Sequence, residues 1–173
     1  EYITKWLIEI KDKKREKTYE DLQKLLEEHE CLCLAYTDKV QRPKVVEFYL
    51  NRCKDILEKI QNIIGENGSR EQKYYLLEKK IKNLINFGDC FQAMGNFKSS
   101  KENFHAAIIK IEEYRDEFEQ HLRKKEKTKI DELDRDIFKS FMILYLKKKR
   151  LPKGFDLTQI LKNFGSSRND TVN

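Results

Sequence analysis

His29, Cys31 and Cys33 are the first His and Cys side chains along the sequence, types that could hold a metal or supply a nucleophile and its base. His29 and Cys33 stand four apart and share one face of a helix. Two ligands do not complete a tetrahedral site, and the chain has neither C-x-x-C nor H-E-x-x-H. Both also fall in an apolar stripe, so core packing is expected and no metal. Cys90 and His105 could pair as a thiolate nucleophile and its base, but Cys90 follows an acid, Asp89, and no oxyanion donor adjoins either residue. Gly65-Glu66-Asn67-Gly68 spells a G-x-x-G loop; without flanking strands it reads as a turn between helices rather than an RNA-binding module. No P-loop or dinucleotide fingerprint occurs, and the sequon Asn169-Asp170-Thr171 means little without a secretory signal. The expectation is a protein with no catalytic residues, no cofactor and no enzymatic activity.

Two basic clusters remain. Lys147, Lys148, Lys149 and Arg150 with Lys153 form one, and Arg123, Lys124, Lys125, Lys127 and Lys129 the other. The first reads as favourable charge at a helix C-terminus, with an import signal or an anion contact as the alternative. Neither cluster has interleaved aromatic residues for stacking on bases.

These residues must be positioned by helices. Of 173 residues only six are Gly and two Pro, too few for the turns of a β-sandwich or a dinucleotide fold. Charged residues make 38% of the chain and hydrophobic ones 39%, with ten Phe and eight Tyr, so a packed core is expected and not disorder. The 36 basic residues against 30 acidic leave a net charge of +6, mostly interleaved as on solvated helix faces. Charge-free runs such as 31–37 and 140–146, and the longest, 90–97, fall far short of the ~20 residues of a membrane span. Four Cys in a chain with nothing secretory about it read as reduced thiols, so an intracellular site, cytoplasmic or nuclear, is expected. The chain opens on Glu1 rather than Met, which suggests a fragment of a longer protein.

Helix punctuation is clear. Thr18 with Asp21, Ser69 with Gln72, Thr128 with Asp131 and Asp156 with Gln159 resemble capping boxes. Gly65 and Gly68, Gly95-Asn96, and Pro152 with Gly154 mark stops, and Pro43 suits a first helical turn. Helices are expected over about 2–14, 18–40, 43–64, 69–93, 97–126, 128–150 and 156–164. The periodic apolar positions agree, as in Leu22, Leu25, Leu26, His29, Leu32, Cys33 and Tyr36. Short turns between long amphipathic helices make neighbours antiparallel. One all-α domain over 1–164 is expected, followed by a flexible polar tail over 165–173.

The stretch LINFGDCFQAMGNFKSSKENFHAAI, residues 84–108, resembles a tetratricopeptide repeat. Leu84, Phe87, Gly88, Phe91, Gly95, Phe97, Ser100, Phe104 and Ala107 stand at its motif positions, with Leu in place of the usual Trp and Glu112 where Pro commonly ends the repeat. A degenerate copy over 29–53 sets Leu32, Cys33, Tyr36, Val45 and Tyr49 at corresponding places, with Arg52 in place of the late Ala. Small residues at Gly88, Ser100 and Ala107 let paired helices approach closely while Phe87, Phe91 and Phe104 fill the gaps. The resemblance implies antiparallel hairpins stacked as an α-solenoid with elongated helices, a scaffold that docks a peptide or helix of a partner protein. Its groove would be faced by Lys82, Ile85, Asp89 and Gln92, and in the weaker copy by Glu27, Glu30, Leu34 and Thr37. Members that grip carboxylate tails carry Lys and Asn where Ile85 and Asp89 stand, so a basic or apolar segment is the expected partner. A basic module contacting RNA or DNA is the alternative, and a homo-oligomerisation domain a third.

Overall fold

A computed structural model describes residues 2–13, 18–37, 41–118 and 124–147. These form an all-α protein of six helices: α1 Tyr2–Lys13, α2 Tyr19–Ala35, α3 Pro43–Ile64, α4 Arg70–Ala93, α5 Phe97–Phe118 and α6 Lys124–Lys147. The chain divides into two compact units, Glu1–Phe141 and Met142–Asn173, the second described only over 142–147. No helix among the described residues is long and apolar enough to cross a membrane.

The local signals set most of these boundaries. Thr18 Oγ1 accepts the Asp21 N–H at 3.1 Å. Ser69 and Gln72 form a complete capping box, Ser69 Oγ accepting from the Gln72 N–H at 3.2 Å and Gln72 Oε1 from the Ser69 N–H at 2.9 Å. Pro43 occupies the first turn of α3. Gly65 and Gly95 end α3 and α4 with φ of +49° and +76°, a region that favours glycine. Asn96, expected only as part of a stop, also starts the next helix, its Oδ1 accepting the Ser99 N–H at 3.2 Å.

Three boundaries differ from expectation, the first being that 124–126, expected to close the helix that begins at Phe97, belong to α6. Thr128 does not begin a helix; it lies inside α6, which already runs from Lys124. Lys124, Lys125, Glu126 and Lys127 are strong helix formers, and their summed preference outweighs one capping signal. The α-helix of α2 ends at Ala35 rather than near 40, giving way to a wider turn at 36–37 whose Tyr36 carbonyl accepts from the Arg42 N–H at 3.3 Å. The expected helix at 156–164 and the tail at 165–173 lie outside the described residues.

The helices α2, α3, α4 and α5 pack in sequence. Contacts between α4 and α3 pair Cys90 with Pro43, Asn83 with Leu50 and Lys80 with Gln61, so partner numbers fall as α4 numbers rise. The same holds for α4 against α5, where Tyr74 meets Tyr114 edge-on and Gly88 meets Phe104. Each of these pairs is therefore antiparallel. Leu22, Leu25 and Leu26 of α2 join Cys53, Ile56, Leu57, Ile60 and Ile64 of α3 and Leu76 of α4 in one core cluster. Cys33, Val46, Tyr49, Leu50, Phe87 and Cys90 form another.

The close approach expected at Gly88 is present. A Cβ there would lie 2.6 Å from Phe104 Cδ1 and 2.7 Å from its Cζ, well inside van der Waals contact. Phe104, Ser100 and Ala107 on the facing helix are all fully buried.

Candidate functional site

A trough of about 420 Å³ opens between α3 and α5 with α4 as its floor. Its α3 wall is Asn51, Lys54, Leu57, Glu58 and Gln61, residues three or four apart on one face. The floor is Lys80, Asn83, Leu84, Phe87 and Phe91, and the α5 wall contributes Asn103 and Lys110. Asn51 to Gln61 covers about 15 Å at ~1.5 Å per residue, so the trough follows roughly three helical turns.

Its two ends differ chemically. Phe87 and Phe91 stack with ring centroids 5.9 Å apart, flanked by Asn51 and Asn103. Each of these amides donates to the carbonyl one turn earlier, at 2.9 Å. Deeper in, Asn83 is buried and donates to the Leu50 carbonyl at 3.4 Å, fastening α4 to α3. At the other end Lys80 and Lys110 sit close enough to repel. Burial and that repulsion push the Lys80 ammonium below its ordinary range, with Glu58 partly opposing them. Lys80 donates to the Gln61 side chain, and Lys110 lies 3.6 Å from Glu113 one turn on. Among the titratable lining residues, three lysines face a single glutamate.

The α4 residues of the groove implied by the family resemblance lie on a different face of that helix, where Ile85 and Gln92 are buried and Lys82 and Asp89 are exposed. Glu78, Ile85 and Gln92 are seven apart and form one stripe, roughly opposite the stripe of Lys80, Leu84, Phe87 and Phe91. The first stripe meets α6: both carboxylate oxygens of Glu78 accept from Lys129 at 3.1 Å, and Gln92 Nε2 donates to the Ser140 carbonyl at 3.5 Å. Ile85 and Gln92 are buried. Glu30 is half-buried and taken by Lys79 at 2.5 Å. Glu27, Leu34, Thr37, Lys82 and Asp89 are exposed, and Thr37 Oγ1 donates to its own helix at the Cys33 carbonyl, 2.8 Å away. Of the C-terminal basic cluster, Lys147 ends α6 while Lys148, Lys149, Arg150 and Lys153 lie outside the described residues.

A buried polar cluster joins the first three helices. Asp12 Oδ2 on α1 accepts from His29 Nε2 at 2.9 Å and from Arg52 Nη2 at 3.1 Å, and all three residues are buried. His29 is a core side chain, as expected from its place in the stripe, but its partner Asp12 carried no sequence signal. Arg52, the residue that departs from the repeat motif, supplies the charge that compensates Asp12. Tyr49 lies beside them, its ring centroid 5.5 Å from that of His29.

Cys53 and Cys90 are poor nucleophiles. Cys33, Cys53 and Cys90 are buried and Cys31 is exposed. A hydrogen bond with Cys33, together with burial, pushes the Cys53 thiol far up. Burial above all pushes Cys90 up to about 11, and its thiol donates to the Pro43 carbonyl at 3.2 Å. His105 is exposed on α5. Among the described residues no group of three or more His, Cys, Asp or Glu could hold a metal ion.

Compared with protein families, curated proteins and solved structures, the chain matches none. The chain is an all-α protein that carries an open trough between α3 and α5.

Proposed function

We propose that the protein is a non-enzymatic interaction module, a helical scaffold similar to tetratricopeptide arrays, that docks a short segment of another protein inside the cell. The observation that carries this reading is the trough: it runs along three helices, with Leu84, Phe87 and Phe91 as an apolar stretch of its floor and amides and lysines on its walls. Apolar floors supply affinity, and side-chain amides both donate and accept, which is what an otherwise unpaired peptide main chain needs. The antiparallel succession of α2 to α5 and the interlock of Gly88 with Phe104 support the repeat-like scaffold.

The test is affinity capture from cell extract with and without nuclease, followed by direct binding of the purified captured protein. Binding that survives nuclease and tolerates added salt supports segment docking. Binding that is lost with nuclease and falls steeply with salt supports contact with nucleic acid through the basic clusters instead. Light scattering across a concentration series identifies self-association.

A further inference from the structure

Resting on the docking reading, we propose that the trough receives an extended acidic segment, with a carboxylate at the Lys80–Lys110 end and a bulky apolar side chain on Phe87 and Phe91. Three features of the site carry this assignment.

The first is charge. Lys54, Lys80 and Lys110 line the trough against Glu58 alone. Lys110 lies near enough to Lys80 to weaken the charged state of Lys80, and a carboxylate arriving between them offsets that repulsion. The second is polarity along the trough. The antiparallel register sets Gln61, Lys80 and Lys110 at one end and Asn51, Phe87, Phe91 and Asn103 at the other. From Lys80 to Phe87 and Phe91 along α4 is about 10–16 Å at ~1.5 Å per residue. An extended chain advances ~3.3 Å per residue, so acid and apolar side chain stand about three to five residues apart. The third is size. A helix with its side chains is about 10–12 Å across, so the slimmer extended chain enters a space of about 420 Å³ more fully than a helix does. An extended segment fits.

This partner is opposite in charge to the basic or apolar segment implied by the family resemblance. The reason is geometric: that expectation drew on Glu27, Glu30 and Asp89, which are not trough residues, whereas the open face is lysine-rich.

The experiment is selection of phage-displayed random dodecapeptides on the whole chain, with parallel selections on K80E/K110E and the milder K80Q/K110Q. Circular dichroism melts check that both variants fold. Enriched peptides pairing Asp or Glu with Phe, Trp or Leu three to five residues away, and binding K80E/K110E about tenfold or more weakly, support the assignment. K80Q/K110Q should lie between, and added salt should weaken wild-type binding. Enrichment of basic or uncharged peptides that K80E/K110E still binds overturns the acidic assignment and leaves the docking reading standing. Failure to enrich any peptide on the wild-type chain overturns both.

Discussion

Replacing Gly88 by Ala tests the packing at the centre of the molecule, because two effects of known sign oppose each other there. In a helix interior, Gly→Ala ordinarily stabilises by about 1 kcal/mol. At this position the new Cβ would sit 2.6–2.7 Å from carbons of the Phe104 ring. Phe104 is fully buried, so the ring has no solvent side toward which to move. Overpacking costs about 1–3 kcal/mol, and with so deep an overlap the upper end applies. The expected net effect of G88A is a loss of about 2 kcal/mol, which lowers Tm by about 4–8 °C in a protein of this size. The assay is urea unfolding of G88A, Phe104→Leu and the double variant. Leu lacks the Cζ and Cε1 atoms, and without the rigid ring its remaining Cδ1 can turn aside from the new Cβ, so in that background G88A should turn neutral or stabilising. A coupling energy of about 2–3 kcal/mol follows. A wild-type background in which G88A is neutral or stabilising would refute the close approach of α4 and α5.

Removing the carboxylate in D12A takes from buried Arg52 its buried acid and leaves the more exposed Asp55 at 3.4 Å, and should cost about 3 kcal/mol by urea unfolding; a loss under about 1 kcal/mol would mean that the cluster does not hold α1 to α2 and α3. Iodoacetamide should alkylate Cys31 quickly in the native protein, and Cys33, Cys53 and Cys90 only on unfolding, since these three are buried and the Cys53 and Cys90 thiols are pushed up. A second thiol reacting at the rate of Cys31 would contradict this. Lys80 holds its proton less tightly in the folded chain than at its ordinary value of 10.5. Between the depressed native value and 10.5 the unfolded state therefore binds more protons, and this residue makes stability rise with pH. Urea midpoints compared with K80Q across that range should show the rise in the wild type alone, and parallel curves would refute it.

What could be read from the sequence was whatever depends on residues within one helical turn. Ser69 with Gln72, Pro43, Gly65 and Gly95 mark helix ends because caps and positive φ act on the nearest backbone groups. The periodic stripe of α2 foretold the burial of Leu22, Leu25, Leu26, His29 and Cys33, while Leu32 at its edge remains partly exposed. Thr128 failed for the same local reason, one cap set against a run of helix formers. The short α3–α4 and α4–α5 turns also determined the antiparallel neighbours.

Only the tertiary structure decided which faces stay open. The pattern on α4 shows two usable stripes, and the choice between them rests on where α6 lies, through Lys129 and Ser140, far along the chain from Glu78 and Gln92. Asp12 reads as an ordinary solvated acid until α3 brings Arg52 against it, 40 residues away in sequence. Lys54, Lys80 and Lys110 come from three different helices, and nothing local to any of them announces that they share a trough. Helix formation is a short-range event that side-chain type and spacing largely determine. Burial and charge neighbourhood are long-range, set by which surfaces meet when the helices pack.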